Sequence, residues 1–235
     1  MSFGLSNTKD LDPTGVGIDA AAAIPPLPDD ILQHPAAGQV PIHTWFADPA
    51  RPLEIEIGSG KGTFLVQQAP TQPGTNFLGI EYAHDFYLYA ADRVRRLGIP
   101  NIRMLCIDAS EFMHWRVPDS AATVVHLYFP DPWPKTRHHR RRMVQDRFLQ
   151  DCLRILKPGG ELRIVTDHPD YWAWMEEHFA RWTEPNGPYS RIKFLSPPTA
   201  RDGEVIGTNF ERKYRIEGRD FHAATLVTPG DQAKP

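Results

Sequence analysis

From Leu53 onward, short apolar runs alternate with longer amphipathic ones, and the apolar runs end on glycine, proline or an acid. Few architectures accept that pattern. Leu53–Ile57, Asn76–Glu81, Ile102–Ile107, Thr123–Phe129 and Glu161–Thr166 read as strands. Helical patterns lie between or after them, at about Thr63, His84–Leu97, Arg142–Leu156 and Tyr171–Trp182. In the Arg142–Leu156 segment Val144, Phe148, Leu149, Cys152, Ile155 and Leu156 fall at helical spacing, and Lys157-Pro158-Gly159-Gly160 stops it. Two further runs, Phe210–Ile216 and Phe221–Val227, flank a short Glu217-Gly218 turn and read as a hairpin. Strands alternating with helices and closing on a hairpin predict an α/β fold: a mostly parallel seven-stranded sheet with an antiparallel C-terminal hairpin. Such sheets bind ligands at the carboxyl ends of their strands, so the informative residues are those just after each run.

The first 44 residues break the pattern. They are rich in proline and alanine, hold no helical or strand period, and read as a loosely docked arm preceding a single domain over residues 45–235. Trp45-Phe46 anchors the end of the arm. No apolar stretch is long enough for a membrane helix, and no basic-then-apolar leader is visible, so the expectation is a cytoplasmic protein without a membrane partner. Cys106 and Cys152 are too few for a disulfide scaffold or a thiolate zinc site. The net charge of −3 excludes a wholly basic nucleic-acid coat but leaves room for a local basic patch. Monomer and homodimer both fit.

The first strand runs into Glu56-Ile57-Gly58-Ser59-Gly60-Lys61-Gly62-Thr63. A P-loop needs glycine where Ile55 stands and Ser or Thr where Gly62 stands, so that reading fails. A dinucleotide fingerprint needs a third glycine where Thr63 stands. What remains is E-x-G-x-G-x-G, a loop for S-adenosylmethionine, competing with a plain tight turn. Glu81 ends the second strand, placed to accept both hydroxyls of a ribose. Asp108 follows the third, placed to accept an adenine amine. Either acid alone reads as a solvated loop carboxylate or a helix cap. Together with the glycine loop they point to S-adenosylmethionine, with Glu56, Gly58, Gly60, Glu81 and Asp108 as its contacts and Glu56 supporting the loop or the methionine moiety.

The fourth strand ends in Phe129-Pro130-Asp131-Pro132-Trp133-Pro134-Lys135, followed by Thr136-Arg137-His138-His139-Arg140-Arg141-Arg142. The prolines make a stiff turn that fixes Asp131 and Lys135. The cations that follow suit phosphate, against the plain reading of a solvated charge run. His138 and His139 lack carboxylate or thiol partners at ligand spacing, so no metal is expected. The aromatics Tyr171, Trp172, Trp174 and Trp182 read as packing rather than a base-stacking platform.

This string resembles the F-P-D-P-W-x-K-x-R-H-x-x-R-R segment of the bacterial tRNA (guanine-N7)-methyltransferase family. The resemblance runs from about Trp45 to the C-terminus and includes the glycine loop, Glu81, Asp108, Thr166-Asp167 and the T-x-F-E of Thr208–Glu211. It implies a class I, Rossmann-like, S-adenosylmethionine-dependent enzyme that forms 7-methylguanosine at position 46 of the tRNA variable loop. It implies that Asp131 is catalytic and also touches the cofactor. Lys135, Asp167, Thr208, Asn209, Phe210 and Glu211 then contact the guanosine, and Arg137, His138, His139, Arg140, Arg141 and Arg142 contact the RNA. Read plainly, Asp167 caps the next helix and Thr208–Glu211 is edge strand. Two features depart from the family. The arm sets Lys9 and Arg51 against Asp10, Asp12, Asp19, Asp29 and Asp30, so it adds little phosphate affinity, and Arg212-Lys213-Tyr214 stands where many relatives carry a small residue.

Overall fold

The structure is a computed structural model and describes residues 10–230. Residues 1–9, with Lys9, and the last five residues lie outside the described residues. The chain divides into two compact units at the Pro118–Asp119 junction.

The first unit contains β1 (Gly17–Ile18), α1 (Ala20–Ala23), β2 (Leu53–Ile57), α2 (Thr63–Gln68), β3 (Asn76–Glu81), α3 (His84–Leu97), β4 (Ile102–Cys106) and α4 (Ala109–Trp115). Its strands lie in the order β1-β4-β3-β2, and every pair is parallel. Parallel strands covered on both faces read as continuous apolar runs. In β2 all five residues are buried, Glu54 and Glu56 included. In α3, Tyr87, Ala90, Ala91 and Val94 recur at three- and four-residue spacing and form its buried stripe. Asp85 in its first turn and Arg95 and Arg96 in its last suit the helix dipole.

The arm is docked further back than the sequence suggests. Gly17 and Ile18 pair with Met104 and Leu105 of β4, and Val16, Val40 and Ile42 are buried. Arg95 donates to the Asp12 carbonyl at 3.0 Å, and the Val40 amide donates to the Arg116 carbonyl at 2.9 Å. A Cβ at position 17 would overlap the Tyr87 hydroxyl and crowd the Pro13 side chain, which explains the glycine there. Two residues of strand and scattered apolar anchors are too short to show a period, so composition alone misreads this segment.

The second unit contains β5 (Ala122–Tyr128), α5 (Asp146–Ile155), β6 (Leu156–Thr166), α6 (Pro169–Trp182), β7 (Ser190–Ile192), α7 (Asn209–Ile216) and β8 (His222–Val227). Strand order is β5-β6-β8-β7. β5 and β6 are parallel, and β8 is antiparallel to both β6 and β7. The register slips between Ala122↔Leu156 and Val124↔Glu161, so Lys157–Gly160 leave the ladder as a bulge. The Phe148, Leu149, Cys152 and Ile155 face of α5 is buried as its spacing predicts.

One predicted strand is wrong. Phe210–Ile216 is helix α7, and the antiparallel neighbours of β8 are β6 and β7, both upstream. With β1 also present, the described residues hold eight strands instead of seven. The reason is local. Thr208 Oγ1 accepts the Glu211 amide at 3.2 Å, so T-x-F-E is a helix N-cap with Glu at the third position. Arg215 sits in the last turn, where a cation is favoured.

Candidate active site

In the first unit, β2 ends and the chain turns through Gly58, Gly60 and Gly62 at φ of +74°, +53° and +66°. Side chains rarely adopt that region, so the turn requires glycine. A Cβ on Gly58 or Gly60 would meet nothing within 4 Å, so this face of the loop is open. Glu81, from the end of β3, holds the loop: its Oε2 accepts the Gly60 amide at 2.7 Å and its Oε1 accepts the Ala83 amide at 2.8 Å. Each carboxylate oxygen has a second lone pair, so Glu81 can still receive hydroxyls. Asp108 Oδ1 caps α4 through the Ser110 and Glu111 amides at 2.8 and 3.2 Å, the plain role weighed for it, while the side chain stays exposed.

Glu56 is the anomaly of this unit. It is 4% exposed, and its Oε2 is buried without a hydrogen-bond partner among the described residues. Burial pushes its carboxyl up to about 8, with the Ser59 hydroxyl opposing and the negative charge of Glu81 adding to the rise. An orphaned buried acceptor beside an open glycine turn fits a ligand that brings a donor or a positive charge.

In the second unit, β5 ends in a strained turn. Phe129 and Trp133 have φ of +54° and +44°, and Asp131 lies between them. The turn is held on several sides. The Phe129 amide donates to the Val165 carbonyl at 2.8 Å, and its ring packs on Phe210 at 4.7 Å and edge-on to Phe221 at 5.8 Å. Trp133 lies under Arg141 at 4.9 Å and edge-on to His138 at 5.8 Å. Asp131 is exposed, and its carboxylate makes no hydrogen bond among the described residues. Lys135 is also exposed and leads into a 3₁₀ segment, Thr136–Arg141. Along that segment Arg137, Arg140 and Arg141 are exposed and His138 and His139 are half-buried. Arg142 departs from expectation. It is 2% exposed, and its Nε and Nη2 donate inside the unit.

The guanosine set is partly gathered and partly reassigned. Phe210 packs on Phe129, which brings α7 against the Asp131 turn. Asn209 is exposed and Thr208 caps α7. Glu211 is fully buried, and its two oxygens accept the amides of Val205, Ile206 and Gly207 at 2.5, 2.8 and 2.8 Å and the Arg215 guanidinium at 2.8 Å. Burial alone would raise its carboxyl, but those donors hold it below the usual range. Glu211 therefore shapes the loop before α7. Asp167 does not cap α6. His168 Nδ1 does, accepting the Tyr171 amide at 3.3 Å, and Asp167 instead pairs with Arg219 at 2.5 Å. Arg219 lies 3.7 Å from the Tyr214 ring, so Asp167 is tied to α7 through it. Tyr171 is buried, Trp174 Nε1 donates to Val144 at 2.7 Å and Trp182 Nε1 to Asp146 at 2.9 Å, as packing residues do. Among the described residues no cluster of three or more His, Cys, Asp or Glu is placed to hold a metal ion, and no helix is long and apolar enough to cross a membrane.

A family model described as "Putative methyltransferase" matches residues 50–224. The chain is 41% identical over 155 residues to a tRNA (guanine-N(7)-)-methyltransferase of Nitrobacter hamburgensis, covering 66% of this chain and 60% of that protein. It is 36% identical over 198 residues to a protein of the same name from Bradyrhizobium diazoefficiens, covering 82% of each. Among solved structures, the aminoglycoside resistance methyltransferase NpmB1 aligns with a TM-score of 0.52 at 19% identity, covering 86% of this chain and 94% of that one. That likeness establishes a shared methyltransferase-type α/β fold.

Proposed function

The chain belongs to the tRNA (guanine-N(7)-)-methyltransferase family, and on that premise we propose that it methylates N7 of a guanosine in tRNA at the expense of S-adenosylmethionine. The observation that carries the reading is Asp131, an exposed carboxylate without a hydrogen bond among the described residues, set between two residues at positive φ and followed by exposed cations. Its site in the tRNA is position 46 of the variable loop, and its compartment is the cytoplasm.

S-adenosylmethionine supplies an electrophilic methyl group on a sulfonium. Glu81 and Asp108 offer acceptors for its ribose hydroxyls and adenine amine, the open faces of Gly58 and Gly60 admit it closely, and the unpartnered Glu56 oxygen suits its ammonium. Guanine N7 has a lone pair and no proton to lose. The chain therefore needs no strong base; it must position the acceptor and offset the positive charge that grows on it. Asp131 does both. Lys135, Arg137, Arg140 and Arg141 neutralise phosphates, and His138 and His139 line the same segment. Asp167, Thr208, Asn209 and Phe210 form the acceptor rim, with Glu211 holding its shape. The target base must also leave its stack, at about a few kcal/mol.

The test uses labelled S-adenosylmethionine and bulk tRNA lacking 7-methylguanosine, with digestion and identification of the labelled nucleoside. Labelled 7-methylguanosine, lost in Asp131→Ala while S-adenosylmethionine affinity persists, is the expected result. Label in another nucleoside would overturn the substrate. Equal collapse of cofactor binding in Asp131→Ala would make Asp131 a cofactor ligand first.

A further inference from the structure

Arg142 closes a run of exposed cations, yet it is among the largest fully buried side chains of the protein. A buried guanidinium is costly unless its donors are bonded and its charge is matched. Within the second unit two of its nitrogens are bonded and its charge is matched. Arg142 Nε donates to the Pro132 carbonyl at 2.9 Å, and Nη2 bonds the Asp170 carboxylate. The guanidinium lies over Tyr171 at 5.0 Å and Trp174 at 5.4 Å. Those rings are themselves pinned to one residue: the Val144 amide donates to Tyr171 Oη at 3.1 Å, and Trp174 Nε1 donates to the Val144 carbonyl at 2.7 Å. Gln145 fixes the Arg142 carbonyl from the other side at 2.5 Å.

The acceptor of the Nε bond matters most. Pro132 follows Asp131, in the middle of the turn whose flanks Phe129 and Trp133 sit at positive φ. Strained backbone of this kind persists only where its surroundings fix it. The Arg142 bond ties that turn to α6, through Asp170, Tyr171 and Trp174.

We propose that Arg142 is a positioning residue for methyl transfer, fixing the Phe129–Trp133 turn so that Asp131 meets its base in one orientation, and that it is not a phosphate contact. The inference rests on the methyltransferase reading above and deepens it. Lysine keeps the charge but has neither the planar fork nor the stacking face, so Arg142→Lys separates the two roles.

The experiment measures 7-methylguanosine formation and tRNA affinity across a salt series for the wild type, Arg142→Lys and Arg140→Ala, each checked for folding by thermal melting. Arg142→Lys is expected to lower kcat about a hundredfold, the scale of a misplaced catalytic geometry, with the KM for tRNA and the salt slope unchanged. Arg140→Ala is expected to flatten the salt slope by about one phosphate contact. Wild-type kcat in Arg142→Lys would overturn the proposal. So would weakened tRNA binding with kcat intact, which would make Arg142 a phosphate contact. If Arg142→Lys fails to fold, Asp170→Asn takes its place: it removes the matching charge from a half-exposed position and leaves the stack and the Pro132 bond. A several-fold fall in kcat with tRNA affinity retained supports the proposal, and unchanged kcat overturns it. A wild type that labels a different nucleoside fails the substrate reading alone, and the same kcat comparison then applies on that nucleoside. A wild type that labels none overturns both.

Discussion

Replacing Glu56 by glutamine should remove a pH dependence from the stability of the ligand-free protein. In the unfolded chain Glu56 loses its proton near 4.5, whereas in the folded protein burial holds the proton to about 8. Between those values the folded state binds more protons than the unfolded one. Stability must then fall as pH rises through that window and be flat for this group on either side of it. The gap is about 3.5 pH units, and at ~1.4 kcal/mol per unit the full effect is about 5 kcal/mol. Water reaching the open glycine turn would reduce it, so about 2 kcal/mol is a working floor. Glutamine has nearly the same shape and no charge to bury. Urea unfolding of both proteins at pH 5, 6, 7 and 8 gives the comparison. The wild type should lose stability relative to Glu56→Gln at each step, the difference growing by about 2–4 kcal/mol from pH 5 to 8. Parallel curves would refute the reasoning, because they would mean that the buried carboxylate is solvated or paired at neutral pH.

Three other perturbations follow from the same geometry. Glu211→Ala leaves three amides before α7 without their acceptor, at ~1–3 kcal/mol each, so thermal melting should show a loss of several degrees. Because the folded carboxyl of Glu211 lies below its ordinary value of 4.5, its stabilisation is present above that pH and disappears as pH falls through the lowered value. Thr208→Ala should cost about 1 kcal/mol and Thr208→Ser much less, read by urea denaturation, since either hydroxyl can cap α7. Asp146, held down to about 2 first by His178 and then by Trp182 and Arg181, stabilises the fold above its ordinary value of 3.8 and stops doing so as pH falls toward 2. In Asp146→Asn the acid-unfolding midpoint, followed by circular dichroism, should move to higher pH.

The strands that lead to the site were legible because their apolar runs are long, bounded and buried on both faces. Leu53–Ile57 and Asn76–Glu81 match their predicted ends, and the residues after them form the glycine turn and its acid. The departure at the C-terminal hairpin has a local cause. Phe210–Ile216 alternates well enough to pass as a strand, and its true signal is the cap residue before it with the acid three positions on. The resemblance makes Glu211 a guanosine contact and the plain alternative an edge residue; the structure buries it under three amides. Arg142 carried no sequence mark at all: it is one of several consecutive arginines, and only the carbonyl and rings around it single it out. The resemblance makes Asp167 a guanosine contact and its plain alternative is a helix cap; that cap is made by His168 instead, a histidine ring nitrogen being an uncommon acceptor for an amide.

The acids of this chain divide by what their oxygens already do, and that division bears on the chemistry. Glu81, Asp108 and Glu211 accept backbone amides, so much of their charge is spent on holding loops. All three are fixed in place, but Glu211 is fully buried with its oxygens already filled by Val205, Ile206, Gly207 and Arg215, whereas Glu81 and Asp108 keep spare lone pairs that suit neutral hydroxyls and amines. Asp131 is different. Its carboxylate is exposed and makes no hydrogen bond among the described residues, yet the backbone that carries it is flanked by Phe129 and Trp133 at positive φ. A nucleophile that becomes cationic as it reacts is served best by an anion whose charge is not already compensated and whose position costs nothing to arrange at the moment of reaction. A hydrogen-bonded carboxylate would offer less charge, and a mobile one would lose rate to reorientation. Asp131 combines a free charge with a fixed backbone, and the price of the strain at Phe129 and Trp133 is met by the contacts of Val165, Phe210 and Arg142 around it.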